Sequence, residues 1–298
     1  MTIQEQPFFI PKLALIGVGL IGGSLVQALR KVDAVGEVIG VGRSVENLDL
    51  AVSLGVIDRY THQSAEAVID ADMVVIATPV GAFEAVLRDI MPNLPVDAVV
   101  TDVGSVKAEI IDAARRVMGD RLDQFVPAHP IAGAENTGVA AAFPDLYVDH
   151  NVLFTPLSES RAQFTRLVEA MWKLTGANVV EMDVELHDQV LGVTSHLPHV
   201  IVFALIDYLS KQNNQALHYK FAAGGLYDFT RIASSDARMW ADICLNNKEK
   251  LIPIVRGFAQ ELQLISDRIE NDQDAELMKI FEQARLARSQ VADYRNKD

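Results

Sequence analysis

The chain has 298 residues, 50% of them hydrophobic and 22% charged, with a net charge of −14. That is globular composition, at a length that serves one large or two ordinary domains. The negative charge argues against nucleic acid or an anionic membrane as a partner, and the single cysteine, Cys244, excludes an internal disulfide.

The opening residues, MTIQEQPFFIPK, include Glu5 and lack the basic start of a secretory signal. A cytoplasmic protein is expected. No run reaches the ~20 apolar residues of a membrane span, so no membrane contact is expected either. Residues 13–17, LALIG, form a short apolar run entering glycines. GVGLIGGSLVQALRK then places Leu20, Leu25 and Leu29 at helical spacing. Further strands are expected at 37–42, 71–80, 97–105, 125–130, 151–156 and 177–182, with helical text between most of them. Continuous apolar strands alternating with helices imply an α/β fold, a Rossmann-type and mostly parallel sheet covered on both faces.

From about residue 183 the text is helical throughout. SHLPHVIVFALIDYLSK offers Ser195 as an N-cap and Pro198 in the first turn. Farther on, Leu251, Ile254, Val255, Phe258, Leu262, Ile265 and Ile269 make one apolar stripe, and a last helix spans about 274–294. The expected domains are 1–183, binding a dinucleotide, and 184–298, an all-helical substrate-binding and dimerisation domain. So long a stripe exceeds what a small helical domain covers, so a homodimer is expected.

Gly17, Gly19 and Gly22 spell G-x-G-x-x-G around Leu20 and Ile21, between a strand and a helix. In that context the motif is a dinucleotide fingerprint: a tight turn, a close approach to the pyrophosphate, and close helix–strand packing. About 20 residues on, an NAD enzyme places an acid to hold the ribose hydroxyls. This chain has Gly42 there, followed by Arg43 and Ser44. A guanidinium and a hydroxyl suit a 2′-phosphate, so NADP is favoured, with NAD as the alternative.

Ligands of open α/β sheets sit at the carboxyl ends of the strands. Those ends carry Thr78, Pro79, Asp102, Ser105, Lys107 and His129. The helical half offers His196, His199, Asp228, Arg231 and Trp240. Each has a plain reading alone: a cap, a surface ion pair, a core ring, and for Lys107 a solvated helix start. Their convergence on one expected cleft is what points to chemistry. No spacing suggests a metal site.

Five segments, GLIGGS (19–24), DVGSVK (102–107), HPIAGAE (129–135), SHLPH (195–199) and YDFTRIASSD (227–236), together resemble the prephenate/arogenate dehydrogenases of tyrosine biosynthesis. The resemblance runs along nearly the whole chain in the family's order. It implies the bare two-domain form, without a chorismate mutase segment in front or a regulatory domain behind. It implies NAD(P)-dependent oxidative decarboxylation of prephenate or arogenate. His129 then bonds the ring 4-hydroxyl and Ser105 supports it. His199 lies near the side-chain end, and Arg231 grips the ring carboxylate. Gly224, Asp228 and Trp240 line the pocket with His196. Glu135 is the candidate for an ammonium if arogenate is accepted. Tyrosine is expected to inhibit competitively. Gly42–Arg43 departs from NAD-using members, which often carry an acid there.

Two other readings stay open. One is a β-hydroxyacid or imine reductase of the same two-domain plan, which tends to carry a lysine on a helix of its second domain. The other is a non-catalytic NADP-binding redox sensor, which has no use for His129, His199 and Arg231 around one cleft.

Overall fold

The computed structural model describes residues 8–134 and 136–295, with side chains as far as 291 in the last helix. By compactness the chain forms two units, 1–248 and 249–298.

Six strands of the first unit form a fully parallel sheet: β1 (Ile10–Ile16), β2 (Val35–Val41), β3 (Arg59–Thr61), β4 (Met73–Ile76), β5 (Val99–Asp102) and β6 (Phe125–Val126), ordered β3-β2-β1-β4-β5-β6. The order reverses between β1 and β4, which makes the mouth beyond their carboxyl ends the ligand crevice. Alternation along each strand builds both faces. Leu13, Leu15, Met73 and Val75 enter one apolar cluster, and Ala14, Ile16, Val74 and Ile76 enter the other.

Helices α1 (Leu20–Lys31), α2 (Val45–Ser53), α3 (Ser64–Ala67), α4 (Phe83–Ile90) and α5 (Ala108–Met118) cross between strands. The three-residue strand β3 is absent from the sequence reading. It is too short for a periodicity to register.

The stretch expected as one strand, 125–130, is two. Pro127 has no N–H for a ladder, and there the chain leaves the large sheet. Strands β7 (Ala128–Pro130), β8 (Asn151–Phe154) and β9 (Asn178–Glu181) form a second sheet, with β7 antiparallel to β8 and β8 parallel to β9. His129 sits opposite Leu153 in that pairing. The helix α6 (Ala162–Leu174) links β8 to β9 and adds Trp172 to the first cluster.

Beyond β9 the chain is helical: α7 (Val184–Leu191), α8 (Leu197–Ser210), α9 (Gln215–Lys220), α10 (Gly224–Thr230) and α11 (Ala237–Asn246). The expected start at Ser195 is incorrect. Residues 192–196 form a π turn that joins α7 to α8, so Ser195 lies inside a continuous helical run and Asp183 caps its start by accepting from Glu185 and Leu186 N–H. The expectation that no run could span a membrane needs the same correction. Val184–Ser210 is 27 residues long and apolar enough by length and composition. Only 22% of its most apolar window is buried in the single chain.

The second unit holds α12 (Lys248–Glu270), which begins one residue before it, and α13 (Asp274–Arg295). Along the apolar stripe Ile254, Val255 and Phe258 are half-buried, while Leu262 and Ile269 are exposed.

Candidate active site

At the fingerprint, three glycines do three different things. Gly17 has φ +102°, which an L side chain rarely adopts, and a Cβ there would strike the Ala77 carbonyl. A Cβ on Gly22 would lie 2.7 Å from both the Gly17 carbonyl oxygen and Leu15 Cδ1. At Gly19 a Cβ would meet nothing within 4 Å. That position opens onto space just where helix α1 begins.

The α1 start has no side-chain cap and no acid in its first turn. Its N–H groups and dipole are therefore free to meet an anion. Leu20 and Ile21 turn their side chains to the core, which leaves only their backbone for a ligand. Thr78, just past β4, carries a buried hydroxyl without a hydrogen-bond partner, and Pro79 caps the short 80–82 turn. Unfilled donors at α1, open room at Gly19 and the orphaned Thr78 hydroxyl fit a dinucleotide bound across β1 and β4.

Beyond β2, Arg43 is exposed and has no ion-pair partner among the described residues. Ser44 is already engaged. Its Oγ accepts from Asn47 N–H at 3.1 Å, capping α2, and donates to Glu46 at 2.8 Å.

The ends of β5 and β7 form one buried polar knot. Lys107 is fully buried, which corrects its reading as a solvated helix start. Its ammonium donates to Asp102 Oδ2 at 2.5 Å and to the Ala128 carbonyl at 2.8 Å. Asp102 also accepts from Gly104 N–H at 2.7 Å and Ala128 N–H at 3.3 Å. Asp102 thus ties the β5 turn to β7 and holds His129 in register. Burial pushes the Lys107 ammonium below its ordinary range, against the pull of Asp102 and Asp188.

A second group reaches this knot from the helices. Asp188 accepts the backbone N–H of Lys107 at 2.8 Å and of Ala108 at 2.9 Å, so a residue 80 positions away caps helix α5. His187 Nδ1 lies 2.8 Å from Asp188 Oδ1, and its Nε2 lies 2.9 Å from His129 Nδ1. Asn247 donates to the Asp188 carbonyl at 2.9 Å and meets His196 Nδ1 at 3.0 Å. The other nitrogen of His196 is buried without a partner.

All these imidazoles are held neutral. His129 lies well below its ordinary value of 6.5, through burial first and then the charges of His187, Lys107 and His196. Burial likewise lowers His187, against its bond to Asp188, and lowers His196 to about 4. Burial would raise the Asp188 carboxyl, but His187 and two backbone N–H groups hold it below the usual carboxylate range.

His199, in the first turn of α8, donates its Nδ1–H to the Ser195 carbonyl (2.9 Å) and stacks on Trp240 at 3.4 Å between ring centroids, 17° from parallel. A mostly apolar cavity of about 260 Å³ lies beside them, lined also by Val200, Phe203 and Cys244. Trp240 Nε1 is a second buried donor without a partner. Ser105 is half-buried on the β5 turn. Gly224 and Asp228 are exposed on α10, and Arg231 opens the 231–234 turn that packs against α8. Glu135 lies outside the described residues.

Sequence reasoning therefore missed His187, Asp188 and Asn247 and misread Lys107. ELHDQ in an amphipathic helix shows no motif. The one available signal was an adjacent His and Asp on a helix whose neighbours are apolar.

Residues 25–181 match the model for the prephenate dehydrogenase nucleotide-binding domain, and residues 183–283 match that for the prephenate dehydrogenase dimerization domain. A cyclohexadienyl dehydrogenase of Zymomonas mobilis is 34% identical over 280 residues, 93% of this chain and 94% of that protein. A prephenate dehydrogenase of Bacillus subtilis is 36% identical over 275 residues, 92% of this chain and 74% of that protein. The crystal structure of prephenate dehydrogenase from A. aeolicus, in complex with hydroxyphenyl propionate and NAD+, superimposes with a TM-score of 0.88 at 34% identity, covering 96% of this chain and all (100%) of that one. A Rossmann-type sheet with an open helix start, a buried histidine at the mouth of that sheet and these likenesses over nearly the full length lead to one conclusion: the chain belongs to the prephenate dehydrogenase family of NAD(P)-dependent oxidoreductases.

Proposed function

We propose that this site oxidises and decarboxylates prephenate or arogenate, with His129 as the base. The observation that carries the assignment is a buried, neutral imidazole in β7, just past the carboxyl end of β6, in a fold whose fingerprint leaves an open helix start for a dinucleotide. Bound across Gly19 and Thr78, NAD(P) would supply a nicotinamide ring that accepts a hydride.

The rest falls to this chain. The substrate's ring hydroxyl gives its proton to a bare nitrogen of His129 as the carbinol carbon loses hydride. The carboxylate on the opposite ring carbon then leaves as CO₂, and its bonding electrons make the ring aromatic. The phenolate oxygen takes the proton back from His129, so no proton leaves the site. Arg231 holds the ring carboxylate, and Ser105 the hydroxyl. His196, His199 and Trp240 wall the pocket, and the unfilled Nε2 of His196 and Nε1 of Trp240 suit the polar groups of such a substrate. Gly224 and Asp228 line its outer edge, and Glu135 belongs beside the side chain. Arg43 selects NADP over NAD, because position 42 offers the ribose no carboxylate. Residues 1–183 bind the nucleotide, and 184–298 bind the substrate and pair two subunits. The bare apolar helix Val184–Ser210 is then covered by a second copy rather than by lipid. Tyrosine competes with the substrate, since it shares the hydroxyphenyl ring.

The test is reduction of NADP or NAD at 340 nm on adding prephenate, then arogenate, with CO₂ measured in step. His129→Asn keeps a polar group without a proton acceptor of useful basicity. Turnover should fall by ~10²–10⁴ with cofactor affinity unchanged. No reduction with either substrate, or near-normal turnover in the variant, would overturn the assignment.

A further inference from the structure

We propose that His187 and Asp188 are positioning residues for this reaction: together they fix which nitrogen of His129 is bare. The inference rests on His129 as the base.

Counting hydrogens along the line decides it. The Asp188 carboxylate already accepts two backbone N–H groups at the start of α5 and is held ionised, so it can only accept from His187. His187 Nδ1 must then carry a hydrogen. A neutral His187 has one hydrogen, which leaves its Nε2 bare. His129 Nδ1, 2.9 Å away, must therefore be the donor, and the bare nitrogen of His129 is Nε2. Of the two tautomers of His129, this arrangement accepts only the one with a lone pair left over for substrate. His187 and Asp188 are 0% and 1% exposed, so water cannot reshuffle the hydrogens.

The same line steadies the charge that forms. When His129 takes the substrate's proton, its Nδ1–H donates more strongly to His187, and the line ends on a fixed anion. Other charged or titratable groups close by are Lys107, held to Asp102, and His196, held to Asn247. Lys107 opposes a positive His129, which makes the Asp188 end of the line the favourable one. Because the proton returns to the product oxygen, Asp188 never has to be protonated. A cap for α5 would need Asp188 alone. It gives no reason for an imidazole joining Asp188 to His129 at bonding distance on both sides.

Three variants and one spectrum test this. His187→Leu removes the acceptor and frees His129 to hold its hydrogen on Nε2. Turnover should drop roughly 10²-fold, near the lower end of general-base effects, with the Michaelis constant and cofactor affinity little changed. The acid limb of its turnover profile should move to lower pH, since the imidazolium loses its acceptor. His187→Gln places an amide oxygen near the lost Nε2 and should recover much of the turnover. In the wild-type protein, nitrogen–proton correlation spectra of the histidine rings should show both His129 and His187 protonated at Nδ1. A His129 protonated at Nε2, a His187→Leu enzyme within threefold of wild type, or a fall in turnover with an unmoved acid limb would each overturn the proposal. His129→Asn separates the two levels: if it is inactive while His187→Leu is fully active, the base stands and the positioning pair does not.

Discussion

Replacing Gly19 by alanine should separate nucleotide binding from folding. The backbone there is extended, at φ −120° and ψ −161°, a conformation that alanine adopts freely. A Cβ meets nothing within 4 Å, so no clash follows in the free protein. Two small terms oppose each other. Alanine is a poorer N-cap than glycine by something under ~1 kcal/mol, and it stiffens the unfolded chain by about 0.4–1 kcal/mol. The net should lie within about 0.5 kcal/mol, a shift of roughly 1–2 °C in Tm for a chain of this size. The methyl group, however, fills the space through which a pyrophosphate reaches the first N–H groups of α1. Losing one charge-assisted hydrogen bond costs about 1.5–3 kcal/mol, or roughly 10- to 150-fold in affinity. Gly22→Ala is the contrast. Its Cβ would sit 2.7 Å from a carbonyl oxygen and 2.7 Å from Leu15, so it should destabilise the fold itself by ~1–3 kcal/mol. Cofactor titration by calorimetry alongside a thermal scan reads both quantities. A Gly19→Ala protein with wild-type cofactor affinity would refute the placement of the pyrophosphate. One that melts many degrees lower would refute the open geometry.

Acid should destabilise the protein before it disturbs ordinary carboxylates. His129, His187 and His196 are neutral in the fold but take protons near 6.5 when unfolded, so stability is flat above that pH and falls below it. His196 alone, lowered to about 4, accounts for about 3 kcal/mol by pH 4. Urea unfolding at fixed protein concentration from pH 7.5 to 5 checks this, and a flat profile contradicts it. Arg43→Ala should weaken NADP binding tenfold or more and leave NAD almost untouched; a wild-type enzyme more efficient with NAD refutes that choice. Light scattering should report a dimer at micromolar concentration, and a monomer there would leave the bare 184–210 face unexplained.

The nucleotide half was legible because its signals are local. A glycine spacing, a strand run and a following helix all fall within 20 consecutive residues, and β1 and α1 duly form there. His129 was legible from its place just after an apolar strand. What the sequence concealed was long-range. Asp188 caps a helix 80 residues earlier, and Lys107 looks like a surface residue until Asp102 and the Ala128 carbonyl are folded around it. Neither leaves a periodicity. Ser195 failed for a different reason: a cap-like residue inside a π turn is indistinguishable, in one dimension, from a helix start. Ser44 reads as a phosphate ligand by position, yet its hydroxyl is spent on capping α2 and on Glu46.

Asp188 also bears on how far this architecture can be recombined. Its backbone sits in the helical run, but its carboxylate completes a helix belonging to the sheet. A chimera cut near residue 183 and joined to an unrelated helical half would strip α5 of its cap. In the same stroke it would leave His129 without the neighbour that aligns it. Exchanging the two halves is therefore not a swap of independent modules. A graft that carries the His187–Asp188 pair on the incoming helix keeps both, and one that lacks it weakens α5 and slows the chemistry together.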